Sequence, residues 1–257
     1  MEIGVYSLGS GSKGNCVILS DGKTGVMIDA GLSPRATFAG LKEIGLGVDD
    51  LDGILLTHEH SDHVRSLPVL SAFLPVYSHE DTFVEAEKTC EGLNEDNLVH
   101  VDKPFTVGGF EVTPFAISHD AAHPYGFVID NGHEKVGYVT DTGYISKGIL
   151  KTVSGCDTVV MESNHDREML LRGVYPERLK RRILSDRGHL CNEETALTVC
   201  DLANSGTKRF LLAHVSENNN LTELAYWTTV RQLASKGAKK GDVTVKVALQ
   251  REKVILS

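Results

Sequence analysis

The chain reads as an α/β (α+β) protein built from two β-sheets packed together, with helices on the outside. Strand-sized apolar segments fall into two blocks, and each block is followed by helical patterns rather than alternating one strand with one helix. Over 257 residues, 41% apolar side chains are enough to bury a core between two sheets. No Pro/Ser-rich linker, repeat or low-complexity block interrupts them, so residues 1–257 are expected to form a single domain.

The first block opens with short apolar runs at Ile3–Ser7, Asn15–Ser20 and Gly25–Asp29, separated by Gly, Ser and Asp. Asp21-Gly22 is a hairpin signal between the second and third runs. Arg35–Ile44 has helical spacing, with Phe38, Leu41 and Ile44 on one face. Gly53–Leu56 reads as a buried strand, and shorter α/β alternation continues to Thr106. The second block contains Gly109–Ile117, Tyr125–Asp130, Lys135–Thr140, Asp157–Met161 and Arg209–Ala213 as strands. Glu193–Asn204 and Leu221–Lys236 are amphipathic helices, the second long enough to cover a sheet face.

Composition excludes several classes of function. With 26 basic and 35 acidic residues the formal net charge is −9, which rules out a general basic coat for nucleic acid but leaves room for a local basic patch. The longest apolar runs are strand-sized, so no transmembrane span is expected. The stretch from Met1 to Tyr6 carries an acid and no basic residue, unlike a secretory leader. The five cysteines form no CxxC pair, which argues against both a disulfide framework and a zinc ribbon and suits a cytoplasmic protein.

Gly9-Ser10-Gly11-Ser12-Lys13-Gly14 matches GxGxxG, yet the residues that follow, Asn15 to Leu19, form a strand. A dinucleotide cradle needs a helix N-terminus there. A hairpin turn is expected instead, or a loop of backbone N–H groups beside a phosphate site.

Thr57-His58-Glu59-His60-Ser61-Asp62-His63 is the most informative segment. Three histidines and an aspartate directly after an apolar strand would be costly to bury unless a cation neutralised them. His58 and His60, two apart in extended chain, point to one side. Asp62 and His63 begin the next turn and face a second ion. Imidazole with carboxylate suits zinc, and also manganese or iron. Further donors stand at the ends of strands: His119 after Phe115–Ser118, Asp141 after Val139-Thr140, and His214 after Phe210–Ala213.

These motifs resemble the metallo-β-lactamase superfamily, whose signature is HxHxDH, and the match runs over nearly the whole chain. The resemblance implies a four-layer αββα sandwich of two mixed β-sheets with a dinuclear metal site. Carried over, His58, His60 and His119 hold one divalent ion, Asp62, His63 and His214 hold the other, and Asp141 bridges them. Asp29, in Val26–Gly31, would orient the ligands from behind. The cofactor is then a pair of Zn2+ or Mn2+ ions, with Fe2+ possible.

The fold hosts many substrates, so the branch must come from other residues. Gly188-His189-Leu190-Cys191-Asn192 leads into a helix, and is similar to the Gly-His turn that contacts the scissile phosphate in tRNA 3′-processing and related nucleases. Together with Ser7–Asn15, Glu162–Asp166 and His214–Asn220, it resembles the bacterial YycJ/WalJ-type family, which is associated with 5′-exonuclease activity on DNA and with mismatch repair. Cys191 and Val215 depart from the usual Ser and Leu of that pattern, and neither is a proposed ligand. The long insert of the β-CASP nucleases is absent between Asp141 and His189.

The resemblance implies a metal-dependent phosphodiesterase in which hydroxide, made available by two metals, attacks phosphorus. Asp62, Asp141 and His189 would be catalytic, with His189, Arg181, Arg182, Ser10 and Asn164 at the substrate. The run Arg178–Arg187 places five cations just before His189. Leu179 and Ile183 would anchor a helix and leave the cations outward, to attract a polyanion locally. His165 is a candidate neighbour of the site, His123 a candidate lining of the cleft, and His79, His100 and His133 are expected in exposed turns. DNA is the expected substrate ahead of RNA, with no membrane partner. A thioester or lactam hydrolase on the same fold and a non-catalytic, metal-stabilised module are the alternatives.

Overall fold

A computed structural model describes residues 2–250 and 252–256; Met1, where the leader comparison starts, lies outside the described residues. The first sheet takes β1 (Gly4–Gly9), β2 (Cys16–Ser20), β3 (Gly25–Ile28), β4 (Gly53–Leu55), β5 (Val76–Ser78) and β6 (Leu98–His100) in spatial order. The second takes β7 (Phe105–Val107), β8 (Phe110–Ala116), β9 (Tyr125–Asp130), β10 (Lys135–Val139), β11 (Thr158–Glu162), β12 (Arg209–Ala213) and β13 (Thr244–Val247). The last strand, β14 (Val254–Leu256), returns to the first sheet beside β1.

Both sheets are mixed in the same way. Pairing is antiparallel from β14 through β1 and β2 to β3 and then parallel to β6. It is antiparallel from β7 to β10 and then parallel to β13. Helices cover the outer faces: α1 (Pro34–Glu43), α2 (Ser61–Val64), α3 (Leu67–Leu70) and α4 (Glu80–Glu87) belong to the first half. α5 (Lys147–Val153), α6 (Arg167–Arg172), α7 (Glu177–Ile183), α8 (Asn192–Asn204) and α9 (Thr222–Ser235) belong to the second.

Side-chain alternation along the strands sorts the core into three layers. Between the sheets, Val17, Leu19, Val26 and Ile28 meet Phe110, Phe127, Tyr138 and Leu211. The opposite faces pack under helices, Ile18, Met27 and Ile54 against Leu41, Leu67 and Leu70, and Val159, Phe210 and Leu212 against Val153, Val199 and Leu202. Central strands are therefore buried on both faces, which is why they read as unbroken apolar runs. The four-layer sandwich of two mixed sheets is the expected architecture.

Several boundaries shift. The strand expected at Asp157–Met161 runs Thr158–Glu162, which carries Glu162 into the sheet end. In α1 the buried residues are Thr37 and Leu41, whereas Phe38 is exposed, because the helix turns its Phe38 edge to solvent. β13 and β14 were not anticipated: both are short, and most of their side chains are exposed or only partly buried. Among the described residues, no helix is long and apolar enough to cross a membrane.

Candidate functional site

The chemistry gathers where the parallel strands end. Asp29 follows β3, Asp141 follows β10 after Thr140, and His214 follows β12. These three are the non-glycine residues with positive φ among the described residues, at 59°, 57° and 53°. Left-handed backbone is costly for such residues and is held only where the surroundings over-determine it. Here it turns each strand end sharply enough to present a polar side chain inward instead of continuing the ladder.

The loop after β4 is clamped from below by backbone. Asn15 N–H donates to Asp62 O at 2.8 Å, Ala30 N–H to His63 O at 2.8 Å and Gly31 N–H to Asn15 O at 2.8 Å. Gly31 is required, since a Cβ there would stand 1.6 Å from the Asp62 carbonyl oxygen. Asp29 is fully buried: its Oδ1 accepts from the Thr57 N–H and hydroxyl, each at 2.9 Å, and its Oδ2 takes the His63 Nδ1 proton at 2.8 Å. That bond leaves His63 Nε2 facing Asp62 and Asp141, at 3.6 and 3.5 Å from their Oδ2 atoms.

Three other imidazoles converge nearby. His60 Nδ1 lies 3.1 Å from His58 Nε2 and 3.3 Å from His119 Nε2. His119 Nδ1 is 3.2 Å from the Gly188 carbonyl oxygen, to which it donates, so its Nε2 carries a lone pair toward His60. Burial holds the His58 ring well below its usual range, reinforced by His63 and His119. Burial likewise pushes His119 down to about 4, despite the opposing field of Asp141. The His58 and His119 rings are therefore neutral, and the lone pairs that face one another in this group need a cation.

The adjoining group has the opposite charge state. Burial disfavours the imidazolium of His63, but Asp29, Asp141 and Asp62 outweigh it and raise the ring to about 9. Burial opposes protonation of His214 too, and Asp141, Asp62 and Glu162 overcome it. His214 Nε2 is 3.5 Å from Asp62 Oδ2, while its Nδ1 donates to Glu162 Oε1 at 3.0 Å.

Glu162 had no assigned role in the sequence, because an acidic residue after an apolar run reads as the start of a loop. It ends β11, is fully buried and accepts from four directions. His189 Nδ1 lies 2.7 Å and His214 Nδ1 3.0 Å from Oε1, and the Thr142 and Leu190 amides 3.0 and 3.2 Å from Oε2. Burial would raise its carboxyl, and the charges and bonds of His189 and His214 hold it well below the usual range. Asn15, directly after the glycine motif, is a second unforeseen member: its amide lies 3.1 Å from His63 Nε2 and 3.3 Å from Asp62 Oδ2.

A cavity of about 230 Å³ opens onto these groups, lined on one side by His60, Asp62, His119, Asp141, His189 and His214. The other side is Tyr175 with Leu179, Arg182 and Ile183 of α7. Arg182 reaches the cavity and pairs with Asp120 at 2.5 and 2.9 Å, whereas Arg181 is exposed and absent from the lining. Not every cation of the run points outward: Lys180 is buried, its ammonium donating to the Leu171 carbonyl at 2.7 Å.

Ser10 stands beneath the site and not at its surface. It is buried, accepts from His214 N–H at 2.8 Å and donates to Asn15 Oδ1 at 3.2 Å, so it supports His214. Asn164 borders the cavity, but its amide donates to the His214 carbonyl oxygen at 3.0 Å. His165 is buried beside Cys191 and outside the lining. His123 stacks on a half-buried His79 away from the cavity, and His100 and His133 are exposed.

The donor atoms fit divalent cations. His58, His60 and His119 form one group of mutually close ligand atoms, and Asp62, His63 and His214 another; Asp141 groups with His58 and His63, and also with Glu162, His189 and His214. Asp141 Oδ2 and His214 Nε2 are buried with no hydrogen-bond partner. Such orphaned atoms are costly unless a ligand satisfies them, and imidazole with carboxylate is the set that borderline cations take.

A family model described as a beta-lactamase superfamily domain matches residues 24–215. The exodeoxyribonuclease YycJ of Bacillus anthracis is 42% identical over 239 residues, covering 91% of this chain and 90% of that protein. The exodeoxyribonuclease WalJ of Streptococcus pneumoniae serotype 2 (strain D39 / NCTC 7466) is 39% identical over 241 residues, covering 91% and 90%. Among solved structures, the metallo-beta-lactamase fold protein YhfI of Bacillus subtilis superimposes with a TM-score of 0.73 at 18% identity over 100% of both chains, a likeness of fold.

Proposed function

Because the chain belongs to the beta-lactamase superfamily and is a metal-dependent hydrolase, we propose that it is a nuclease whose substrate is DNA. In this proposal residues 1–257 act as one hydrolase domain, removing nucleotides from a 5′ end in DNA processing of the mismatch-repair type. The end-directed activity on DNA follows the names of the relatives at 42% and 39% identity. The observation that carries the phosphodiester chemistry is the placement of His189: Glu162 holds its Nδ1 at 2.7 Å, and the ring borders the same cavity as the metal donors and Arg182.

His58, His60 and His119 would hold one ion, Asp62, His63 and His214 a second, with Asp141 between them; zinc or manganese suits the set, and iron(II) is compatible. Such ions supply Lewis acidity and make hydroxide available near neutral pH. The chain's own residues do the rest. His189 keeps its Nδ1 on Glu162 and presents the other face of the ring to a non-bridging phosphoryl oxygen, where charge develops and a donated hydrogen bond stabilises it. It is also placed to give a proton to the departing sugar oxygen. Asp62 and Asp141, held ionised against the cost of burial by His63 and His214, keep the histidine donors oriented within the cavity. Arg182 draws the backbone phosphate toward that wall, and Leu179 and Ile183 exclude water beside it.

The test is a metal-reconstituted assay on 5′- and 3′-labelled single- and double-stranded DNA, on RNA, and on small esters. Stepwise shortening of DNA from the 5′ end is the expected result. Turnover of thioester or lactam with DNA untouched would replace this function with a small-molecule hydrolase, and metal uptake without any turnover would leave a metal-stabilised module.

A further inference from the structure

A second histidine cluster lies outside the cavity. His79 caps α4, Asp81 sits in its first turn, and His123 comes from the loop between β8 and β9. The two imidazoles are stacked face to face, with centroids 3.6 Å apart and planes within 9°. Both direct Nδ1 at one oxygen: Asp81 Oδ2 is 3.4 Å from His79 Nδ1 and 3.9 Å from His123 Nδ1. One donor atom from each of the three residues lies within 4.8 Å of the others. Ligand atoms around a tetrahedral zinc stand about 3.3 Å apart and each imidazole lone pair lies in its ring plane, so binding must draw the three donors together and turn at least one of the stacked rings out of the parallel arrangement to complete three of four positions.

We propose that His79, Asp81 and His123 form an additional cation site, of the imidazole–carboxylate type that takes Zn2+, separate from the catalytic centre. The fourth position faces solvent, as the exposure of Asp81 and the half-exposure of His123 require.

Charge and packing favour this assignment. Burial, and then the neighbouring His79, hold the His123 ring below its usual range, so it is a neutral donor rather than a second cation. A helix N-terminus repels cations, but Glu80 and Asp81 occupy the first turn of α4 and offset it. The Asp81 N–H donates to His79 Nδ1 at 3.1 Å, the one bond a bound ion would displace. His100 stands edge-on to His79 with its Nδ1 already accepting from the Glu80 N–H, so it walls the site without entering it.

The position gives the site a purpose. His123 lies four residues beyond His119 in the same loop. That loop is strung between two anchors, Ala122 N–H on Glu59 Oε1 at 2.9 Å and Thr82 Oγ1 on the His123 carbonyl at 3.2 Å. An ion bridging His123 to α4 would add a third anchor and stiffen the segment that carries His119.

The experiment counts zinc bound per folded, chelator-stripped chain after re-addition of Zn2+ and removal of the excess. His123→Ala and His79→Asn, which keeps a capping side chain, are each expected to lose one equivalent relative to wild type. His133→Ala, at an exposed histidine elsewhere, is expected to lose none. In a chain carrying His60→Ala with Asp141→Ala, the equivalent lost on adding His123→Ala should persist, which separates this site from the catalytic centre. Unchanged zinc content in both His123→Ala and His79→Asn would overturn the proposal. Should either variant misfold, imidazole 15N spectra of wild type decide the matter: Zn2+ must shift the ring nitrogens of both His79 and His123, and their silence overturns it equally.

Discussion

Glu162 Oε1 lies 2.7 Å from Nδ1 of His189, and the same oxygen takes the Nδ1 proton of His214 at 3.0 Å. One buried carboxylate thus orients both the proposed phosphate-contacting ring and a proposed metal donor. Glu162→Gln keeps the shape but removes the charge that both rings share. Metal affinity is expected to fall by roughly 10–100-fold, the usual cost of losing an outer-shell partner, and kcat to fall at saturating metal. Metal titration with single-turnover kinetics checks this; wild-type values for both would remove Glu162 from the site's machinery.

His189→Ala separates chemistry from metal binding. The ring lies near Asp141, Glu162 and His214, but its Nδ1 is engaged by Glu162 and neither proposed ion is assigned to it, so metal content should match wild type. Loss of its donated hydrogen bond should cost about 10²–10³ in kcat. Near-normal cleavage of DNA by the metal-replete variant would show that the phosphate is stabilised elsewhere.

Arg182 and Arg181 are adjacent in sequence and unequal in space. Arg182→Ala is expected to weaken DNA binding and to lower the slope of log K against log salt by about 0.9, as for the loss of one phosphate contact. Arg181→Ala should change less, since that side chain lies outside the cavity wall. Hydrolysis of bis-(p-nitrophenyl) phosphate should survive Arg182→Ala, and an equal loss on both substrates would indicate damage to the fold.

Metal-free protein should be sensitive to mildly alkaline pH. Its His63 stands at about 9, because Asp29, Asp141 and Asp62 outweigh burial; the unfolded chain's histidine titrates near ~6.5. A value raised on folding contributes stability fully below the unfolded pKa and loses it as pH climbs through the folded one. Thermal midpoints of chelator-treated protein are therefore expected to decline from about pH 6.5 to 9, with His214, also raised, adding to the trend. Bound zinc should flatten the decline, because it replaces the protons. A midpoint that holds or rises across that window would contradict the charge assignment.

Gly31→Ala tests the clamp under the histidine loop. The new Cβ would meet the Asp62 carbonyl oxygen at 1.6 Å, so Asp62 and His63 must move. We expect destabilisation of roughly 3 kcal/mol or more, together with loss of metal from the Asp62–His63–His214 group. Denaturant unfolding and metal analysis measure the two effects.

Local chemistry made much of this protein legible from its residues alone. Continuous apolar runs such as Phe210–Ala213 marked strands buried on both faces, and Asp21-Gly22 marked a hairpin. The density of donors from His58 to His63 marked a cation site, because no other partner would satisfy so many polar groups at a strand end. Tertiary structure alone decided the rest. Ser10 became a support for the His214 backbone because the β1–β2 turn packs beneath β12, a contact no local pattern encodes. Glu162 gained its role when parallel pairing of β11 with β10 and β12 set its carboxylate beside His189 and His214. His79 and His123 came together only through the packing of α4 on a distant loop. Periodicity and turn chemistry report interactions within a few residues, whereas these juxtapositions depend on strand order and on three left-handed strand ends that the folded core alone can hold.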